Sequence, residues 1–130
     1  SAAGNKLPCN YQSIKQVKAI AKIPIIANGD IYTVEEMNQV VQETKVDGVM
    51  CARGILYNPA LYNGMNTVPL SCSINYLNYA LQYGGDIRIH NYHLYQLLSV
   101  GLTFSEKQYF HNLKSMSGII NFFHTRQWLS

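Results

Sequence analysis

Hydrophobic residues in the first half of the chain recur first at helical spacing and then as short apolar runs. The helical spacing predicts a helix over residues 11–22. Residues 23–27 form an unbroken apolar run rich in isoleucine, which is typical of a parallel strand buried on both faces. A second helix over 34–44 and a second strand over 47–52 follow. Because parallel strands need a crossover connection, this order predicts a right-handed strand–helix–strand unit.

Local signals predict where two helices of the first half begin. Thr33 and Glu36 have the spacing of a capping box, in which each side chain accepts a hydrogen bond from the backbone N–H of the other residue. Asn58 followed by Pro59 predicts a further helix, with Asn58 as its N-cap and Pro59 at its first position. The second strand is therefore expected to lead through a loop into a short helix.

The second half has helical spacing throughout and predicts a small bundle of three helices. The first two helices cover residues 71–83 and 87–100. A second capping box at 105–108 opens a third, long helix whose apolar positions reach residue 123. The turn-rich segment 63–69 is typical of a linker. The pattern thus predicts an α/β unit followed by an α-helical unit.

Composition narrows the class of protein. The chain has 130 residues, of which 48% are hydrophobic and 13% charged, which is enough apolar content for a core and too much for a disordered chain. No apolar run reaches the roughly 20 residues that span a membrane. The net charge of +3 is only weak support for a nucleic-acid partner. The chain begins without Met or a signal peptide, so we keep open that it is a piece of something longer.

Cysteine and histidine residues give no sign of a metal site. Cys9, Cys51 and Cys72 are an odd count without metal-ligand spacing, and we expect reduced thiols in an intracellular, most simply cytoplasmic, protein. Cys51 falls within the second predicted strand and is expected in the core, whereas the other two are expected to be incidental. His90 and His93 lie three apart on a helix, but no further ligand follows at useful spacing.

Unusual residues follow both predicted strands. Asn28-Gly29-Asp30 comes after the first strand and Ala52-Arg53-Gly54 after the second. Glycine lets a ligand approach the backbone, and exposed N–H groups beside a helix start, together with the guanidinium of Arg53, suit a phosphate. The two strand ends therefore predict a phosphate clamp, with ordinary turns and a solvated Arg53 as the alternative.

Two strings of residues resemble the tRNA-dihydrouridine synthase family, most closely its eukaryotic dihydrouridine synthase 4-like branch. The first is Ile23-Pro24-Ile25-Ile26-Ala27-Asn28-Gly29-Asp30-Ile31. The second is Asp47-Gly48-Val49-Met50-Cys51-Ala52-Arg53-Gly54, followed by Asn58-Pro59-Ala60-Leu61. Weaker traces begin upstream at Leu7-Pro8-Cys9 and continue downstream through Ile119-Ile120, so the resemblance covers nearly the whole chain.

The resemblance implies an FMN-binding TIM barrel followed by a helical tRNA-recognition domain. Residues 1–66 would then hold the last two of eight βα units, and residues 67–130 the helical domain, as the C-terminal fragment of a protein expected to be monomeric. Members reduce a uridine of the tRNA D-loop, with NADPH first reducing FMN. By this likeness the FMN phosphate site contains Asn28, Gly29, Asp30, Ala52 and Arg53. Ala52 is a mild departure, because many members have glycine there.

The resemblance also implies what the chain lacks. The cysteine that protonates the uracil ring, and the lysine and histidine that contact the flavin, belong to the first six units of the barrel. None of the three cysteines here matches the catalytic one, so no catalytic residue is assigned. Because two parallel strands cannot close a barrel, we expect the chain alone to be inactive and its first half to be unstable or prone to aggregation.

Basic residues of the second half are candidates for contact with RNA. Lys107, His111 and Lys114 have the spacing of one helix face, which suits the RNA backbone but equally a solvated surface. Arg88 and His90 are further candidates, with ordinary surface or half-buried positions as the alternative. The stripe of tyrosines in the first helix of this half is more typical of packing than of base stacking.

Three functions remain open from the sequence. The chain is part of a flavin-dependent tRNA-dihydrouridine synthase, or a non-catalytic product that binds tRNA or a protein partner through its helices, or part of another FMN-dependent barrel oxidoreductase. The helical half with its basic residues favours the first two over the third. Which uridine the parent enzyme would modify does not follow from the sequence.

Overall fold

The computed structural model describes residues 8–129, which form two compact units that divide between Thr67 and Val68. Leu7, where the upstream family resemblance begins, and the predicted domain limits at residues 1 and 130 lie outside the described residues. Each unit has its own hydrophobic core. Among the helices over residues 8–129, none combines the length and apolar content needed to cross a membrane.

The first unit contains a strand–helix–strand motif preceded by a helix. Its elements are α1 (Tyr11–Ile20), β1 (Ile26–Asn28), α2 (Val34–Thr44), β2 (Gly48–Met50), α3 (Arg53–Tyr57) and a 3-10 turn (Leu61–Asn63). β1 and β2 pair in parallel, with Ala27 opposite Val49. The predicted element order is therefore confirmed for this motif, with shorter strands than the apolar runs indicated.

Asp47 determines how the two strands start. Its backbone N–H donates to the Ile25 carbonyl at 2.9 Å, while its carboxylate accepts the Ile25 N–H at 2.7 Å. Lys18 of α1 donates to the same carboxylate at 2.6 Å, and this hydrogen bond is the main reason that the pKa of Asp47 lies below its ordinary value. The interaction joins α1 to the start of the sheet.

The prediction that the first strand is buried on both faces is wrong for this chain. Ala27 is 1% exposed and packs with Val40 of α2, but Ile26 is 64% exposed and Met50 of β2 is 51% exposed. The reason is that α1 and α2 cover one face of the sheet, and nothing among the described residues covers the other. An apolar run of this kind is typical of a strand covered on both faces, but the described residues cover only one face of this sheet.

One predicted helix start is correct and the other is wrong. Thr33 and Glu36 form the expected capping box at the start of α2. Asn58 does not open a helix, because α3 already begins at Arg53 and ends before it. The Asn58 carboxamide oxygen instead accepts the Ala60 N–H at 3.1 Å, which bends the chain into the 3-10 turn.

The second unit has four helices in place of the predicted three. They are α4 (Leu70–Tyr83), α5 (Ile87–Leu98), α6 (Phe104–His111) and α7 (Met116–Thr125). The capping box of α6 is formed by Thr103 and Glu106, two residues earlier than predicted. The predicted long third helix is interrupted after His111, and Ser115 caps α7 by accepting the Gly118 N–H. Both ends of the break are stabilised by side-chain hydrogen bonds, which apolar spacing does not reveal.

A compact aromatic core holds the helical unit together. Phe110 and Phe123 are fully buried, as are Leu77, Leu94 and Ile119. These residues come from all four helices, so each helix contributes to one shared core. The tyrosine stripe of α4 is only partly used for packing, because Tyr76 borders the core whereas Tyr79 and Tyr83 are 59% and 76% exposed.

Candidate functional site

The five residues predicted for a phosphate site lie around one cavity of the first unit. The cavity, of about 240 Å³, is formed where β1 and β2 end. It is lined by Asn28, Gly29, Asp30, Ile31, Tyr32, Cys51, Ala52, Arg53 and Gly54. Parallel pairing brings the carboxyl ends of both strands to the same edge, which is where ligands bind in such sheets.

Arg53 is the cation of this cavity, and Asp30 holds it in place. The Nη2 atom of Arg53 donates to Asp30 Oδ1 at 2.7 Å, and the Cys9 N–H donates to Asp30 Oδ2 at 3.1 Å. The guanidinium carbon also lies 5.5 Å from the centre of the Tyr32 ring. A half-exposed ion pair contributes little to stability, so its main effect here is to orient the guanidinium.

Tyrosines support the site, and the sequence pattern did not single them out. The Tyr11 hydroxyl donates to the Gly29 carbonyl at 2.7 Å, and burial is the main reason that its pKa is raised. The Tyr62 hydroxyl accepts the Cys51 N–H at 2.8 Å, which fixes the end of β2. Both tyrosines are distant in sequence from the groups they bind, and neither belongs to a local motif that would have indicated this role.

Two glycines allow close contacts around the strand ends. Gly29 has φ +147°, a conformation that other residues rarely adopt, and a Cβ there would collide with the Cys9 thiol. A Cβ on Gly54 would collide with the carbonyl oxygen of Ile31. The turn after β1 therefore packs directly against the backbone of α3.

The donor set fits a phosphate with Arg53 as its charged ligand. A guanidinium has five N–H donors, and Asp30 takes one of them in this structure. Ala52 has no side chain to cap α3, so the first N–H groups of that helix have no side-chain acceptor. Asp30 is itself an anion, so its carboxylate suits the positioning of Arg53 and not direct contact with phosphate.

The three cysteines form neither a disulfide nor part of a metal-holding group within residues 8–129. Cys9, Cys51 and Cys72 are free thiols, and the expected burial of Cys51 is confirmed at 7% exposure. Within residues 8–129, no group of three or more His, Cys, Asp or Glu is placed to hold a metal ion.

Three candidate RNA contacts, Lys107, His111 and Lys114, do not form the single helix face that their spacing predicted. α6 ends at His111, so Lys114 lies in the connection to α7. Arg88, His111 and Lys114 nevertheless line one cavity of about 420 Å³, whereas Lys107 and His90 do not line it.

His90 is used inside the helical unit. Its Nδ1 lies 3.2 Å from the Tyr76 hydroxyl, and its Nε2 lies 3.1 Å from the Gly84 carbonyl oxygen. Because a carbonyl oxygen only accepts, Nε2 donates to Gly84, and Nδ1 pairs with the Tyr76 hydroxyl. His90 therefore joins α5 to the end of α4, which leaves neither ring nitrogen open for RNA.

Arg88 is paired with the residue that caps its own helix. Asp86 accepts the Arg88 N–H at 2.8 Å, and its carboxylate also binds the guanidinium at 2.6 Å. These hydrogen bonds lower the pKa of Asp86 from 3.8 to about 2. Part of the Arg88 charge is thus already neutralised within the protein.

We expect Asp86 to make the stability of the helical unit depend on acid pH. A carboxyl group whose pKa is lowered in the folded state stabilises it fully above its unfolded pKa of about 3.8, and this contribution is lost as pH falls towards 2. Asp86→Asn should therefore lower stability at pH 7 and reduce the loss between about pH 4 and 2. Urea unfolding at a series of pH values, followed by circular dichroism, measures both effects.

Glu106 provides the matching comparison for Asp86. Hydrogen bonds from Thr103 lower the pKa of Glu106 below its ordinary value of 4.5, so its contribution has the same sign and is lost as pH falls below about 4.5. Adding Glu106→Gln to Asp86→Asn should flatten the acid dependence further. An unchanged slope in both variants would show that neither carboxylate stabilises the unit.

Comparisons with known proteins identify relatives of this chain. The family model described as dihydrouridine synthase matches residues 2–129. A tRNA-dihydrouridine(20a/20b) synthase-like protein of Homo sapiens is 39% identical over 115 residues, which are 88% of this chain and 36% of that protein. A tRNA-dihydrouridine(20a/20b) synthase of Saccharomyces cerevisiae is 33% identical over 121 residues, covering 89% of this chain and 33% of the yeast protein. The names of both relatives include NAD(P)+.

A bacterial relative matches a shorter stretch at higher identity. A probable tRNA-dihydrouridine synthase 1 of Synechocystis is 47% identical over 60 residues, which are 46% of this chain and 17% of that protein. The chain thus spans about a third of the length of the two eukaryotic relatives. The family match counts against the alternative that the chain is part of another kind of barrel oxidoreductase. Because the family model extends over nearly all of the sequence, this chain belongs to the dihydrouridine synthase family.

Proposed function

We propose that this chain is part of an FMN-dependent tRNA-dihydrouridine synthase, which reduces a uridine of the tRNA D-loop to 5,6-dihydrouridine with NADPH. The observation that carries the proposal is the cavity in which Arg53, oriented by Asp30, faces the ends of two parallel strands. The names of the relatives support tRNA as the substrate and a nicotinamide cofactor as the reductant.

In this proposal the two units have different tasks. Residues 1–66 supply the last two βα units of an FMN-binding TIM barrel, and residues 67–130 form a C-terminal helical unit that binds tRNA. The parallel β1–α2–β2 motif supports the first assignment, because this is the repeating unit of such barrels. The exposed face at Ile26 and Met50 supports it too, since further strands and their side chains would cover that face. We propose that the full-length protein works as a cytoplasmic monomer.

Residues of the cavity would hold the phosphate of FMN. Arg53 binds the phosphate oxygens, Asp30 and Tyr32 orient Arg53, and Gly54 lets the turn after β1 approach α3 closely enough for backbone N–H groups to contribute. FMN, when bound, supplies the hydride-transfer chemistry. No residue of this chain is assigned to catalysis, because none of its three cysteines matches the catalytic position of the family.

We expect Arg53→Gln to weaken binding of FMN by roughly tenfold or more, because a charge-assisted hydrogen bond to an anion is lost. Riboflavin, which has the same ring system without the phosphate, should bind weakly to the wild-type chain and be unaffected by the substitution. NMR titration of the isotope-labelled 130-residue chain with FMN, riboflavin and inorganic phosphate separates the phosphate from the ring.

Lys22→Gln is the matched control, since it removes the same charge from an exposed position of the same unit that does not line the cavity. Its affinity for FMN should equal that of the wild-type chain. Equal binding of FMN and riboflavin, or equal losses in the Arg53 and Lys22 variants, would refute the phosphate site.

Turnover distinguishes the enzyme part from a module that only binds. We expect no oxidation of NADPH and no dihydrouridine when the 130-residue chain is mixed with FMN and tRNA, because the rest of the barrel is needed. Binding of tRNA without turnover agrees with the proposal, whereas dihydrouridine formation by this chain would show that these residues suffice for catalysis.

A further inference from the structure

The cavity of about 420 Å³ in the helical unit has the size of a small-molecule site. Its walls include Tyr92 and Tyr95 of α5, and Leu113 lies opposite in the connection between α6 and α7. Tyr92 is 51% exposed, so an aromatic face is available to a ligand. Neither the phosphate site nor any assigned role in the first unit involves these residues.

Asn91 is the polar group of this cavity, and its orientation is fixed. Its Nδ2 donates to the Phe110 carbonyl at 2.8 Å and to the Leu113 carbonyl at 3.3 Å. Because carbonyl oxygens only accept, the amide nitrogen must face them, and the carboxamide oxygen is left at the other end. Although Asn91 is only 6% exposed, no group of residues 8–129 donates a hydrogen bond to that oxygen. Because no buried side-chain nitrogen or oxygen of the described residues lacks a hydrogen-bond partner, this oxygen must be reached from solvent, and a ligand in the cavity that carries an N–H group can donate to it.

Lys114 lines the cavity and has no acidic partner within residues 8–129. Both acidic residues between Val68 and Leu129 are already paired, Asp86 with Arg88 and Glu106 with Arg126. Lys107 and Lys114 have no acidic partner within the described residues, and of these two only Lys114 lines the cavity. No acidic residue lines it. The cavity therefore favours an anionic ligand.

We propose that this cavity binds one unstacked nucleotide of a single-stranded stretch of RNA. The base stacks on Tyr92 and donates an N–H to the Asn91 carboxamide oxygen, while Lys114 contacts an adjoining phosphate. Aromatic stacking, an edge hydrogen bond and a neighbouring cation together are how proteins recognise single-stranded RNA. The inference rests on the proposed function, of which it specifies the tRNA contact, and it assigns that contact to a single nucleotide instead of a basic helix face.

The test measures binding of a fluorescent tRNA transcript to the 130-residue chain by anisotropy at several salt concentrations. Tyr92→Ala should weaken binding roughly fivefold or more, because stacking is lost. Lys114→Gln should weaken it and lower the steepness of the salt dependence by about one phosphate contact. Lys107→Gln makes the same change of charge at a candidate contact that does not line the cavity, so the nucleotide site predicts a smaller loss than for Lys114→Gln, whereas a basic helix face predicts equal losses.

Competition by unlabelled RNA tests the preference for an unstacked base. A heptamer of uridines should displace the tRNA, whereas an RNA duplex with the same number of phosphates should not. Tyr92 and Lys114 are both exposed, so melting curves should show that the variants remain folded. Equal effects of Lys107→Gln and Lys114→Gln, or equal competition by duplex and single strand, would overturn the nucleotide site while leaving tRNA binding in place. Failure of the wild-type chain to bind tRNA would overturn this inference and the tRNA part of the proposed function together.

Discussion

Replacing Phe123 by alanine should unfold most of the helical unit. Phe123 is fully buried, its ring lies 5.4 Å from that of Trp128, and it belongs to the core shared by all four helices. Removing a buried phenyl ring costs about 3–5 kcal/mol, which is comparable to the whole stability of a small unit. Hydrogen exchange followed by mass spectrometry should show that protection is lost throughout α4–α7, because their core is continuous.

A substitution of the same kind at the surface provides the control. Phe104 begins α6 and is 75% exposed, so Phe104→Ala should change the free energy of unfolding by no more than about 0.5 kcal/mol. Phe123→Leu, which keeps an apolar side chain in the core, should give an intermediate loss. If the alanine variants at 104 and 123 lost protection equally, Phe123 would not be the centre of this core.

Gly54→Ala should disrupt the phosphate site although it adds only a methyl group. The new Cβ would collide with the Ile31 carbonyl oxygen and lie 3.3 Å from a Leu61 methyl group. The nearest obstacle is backbone, so α3 must shift as a whole, at a cost of about 1–3 kcal/mol. Because Arg53 begins α3, the shift displaces the guanidinium, and we expect the difference in affinity between FMN and riboflavin to disappear.

Gly48→Ala separates a steric effect from a general effect of replacing glycine. Gly48 lies in β2, and a Cβ there would meet only a side-chain atom of Ile26, at an ordinary 3.9 Å. This variant should bind FMN like the wild-type chain and should lose no protection against hydrogen exchange. Loss of FMN binding in both glycine variants would contradict the specific role of the contact between Gly54 and Ile31.

Much of the first unit follows from local pattern. The spacing of apolar residues predicts α1, β1, α2 and β2 in the right order, because burial against a core imposes helical or strand periodicity. The Thr33–Glu36 capping box is likewise local, since both partners belong to the same turn. Glycines after each strand indicate a site because they permit close approach, and all five residues predicted for it do line one cavity.

Errors occur where a distant residue decides the outcome. The predicted long helix contains a break, where the side chain of Asn91 crosses from α5 to bind the carbonyls of Phe110 and Leu113. Lys114 consequently leaves the helix face predicted from spacing and joins His111 and Arg88 at a cavity. His90 is a candidate RNA contact by its residue type, but its two ring nitrogens are hydrogen-bonded to Tyr76 and Gly84.

The sequence alone determines the order of α1, β1, α2 and β2, the change from an α/β half to an α-helical half, the two strand ends with their glycines and Arg53, and the resemblance to its family. These properties depend on residues that are neighbours along the chain or on short sequence motifs. Only the tertiary structure decides that Asp30 holds Arg53, that one face of the sheet is left uncovered, and that Asn91 lines a cavity while its amide nitrogen binds the Phe110 carbonyl. The physical reason is that hydrogen bonds and ion pairs between distant residues depend on how the helices pack, which local periodicity does not encode.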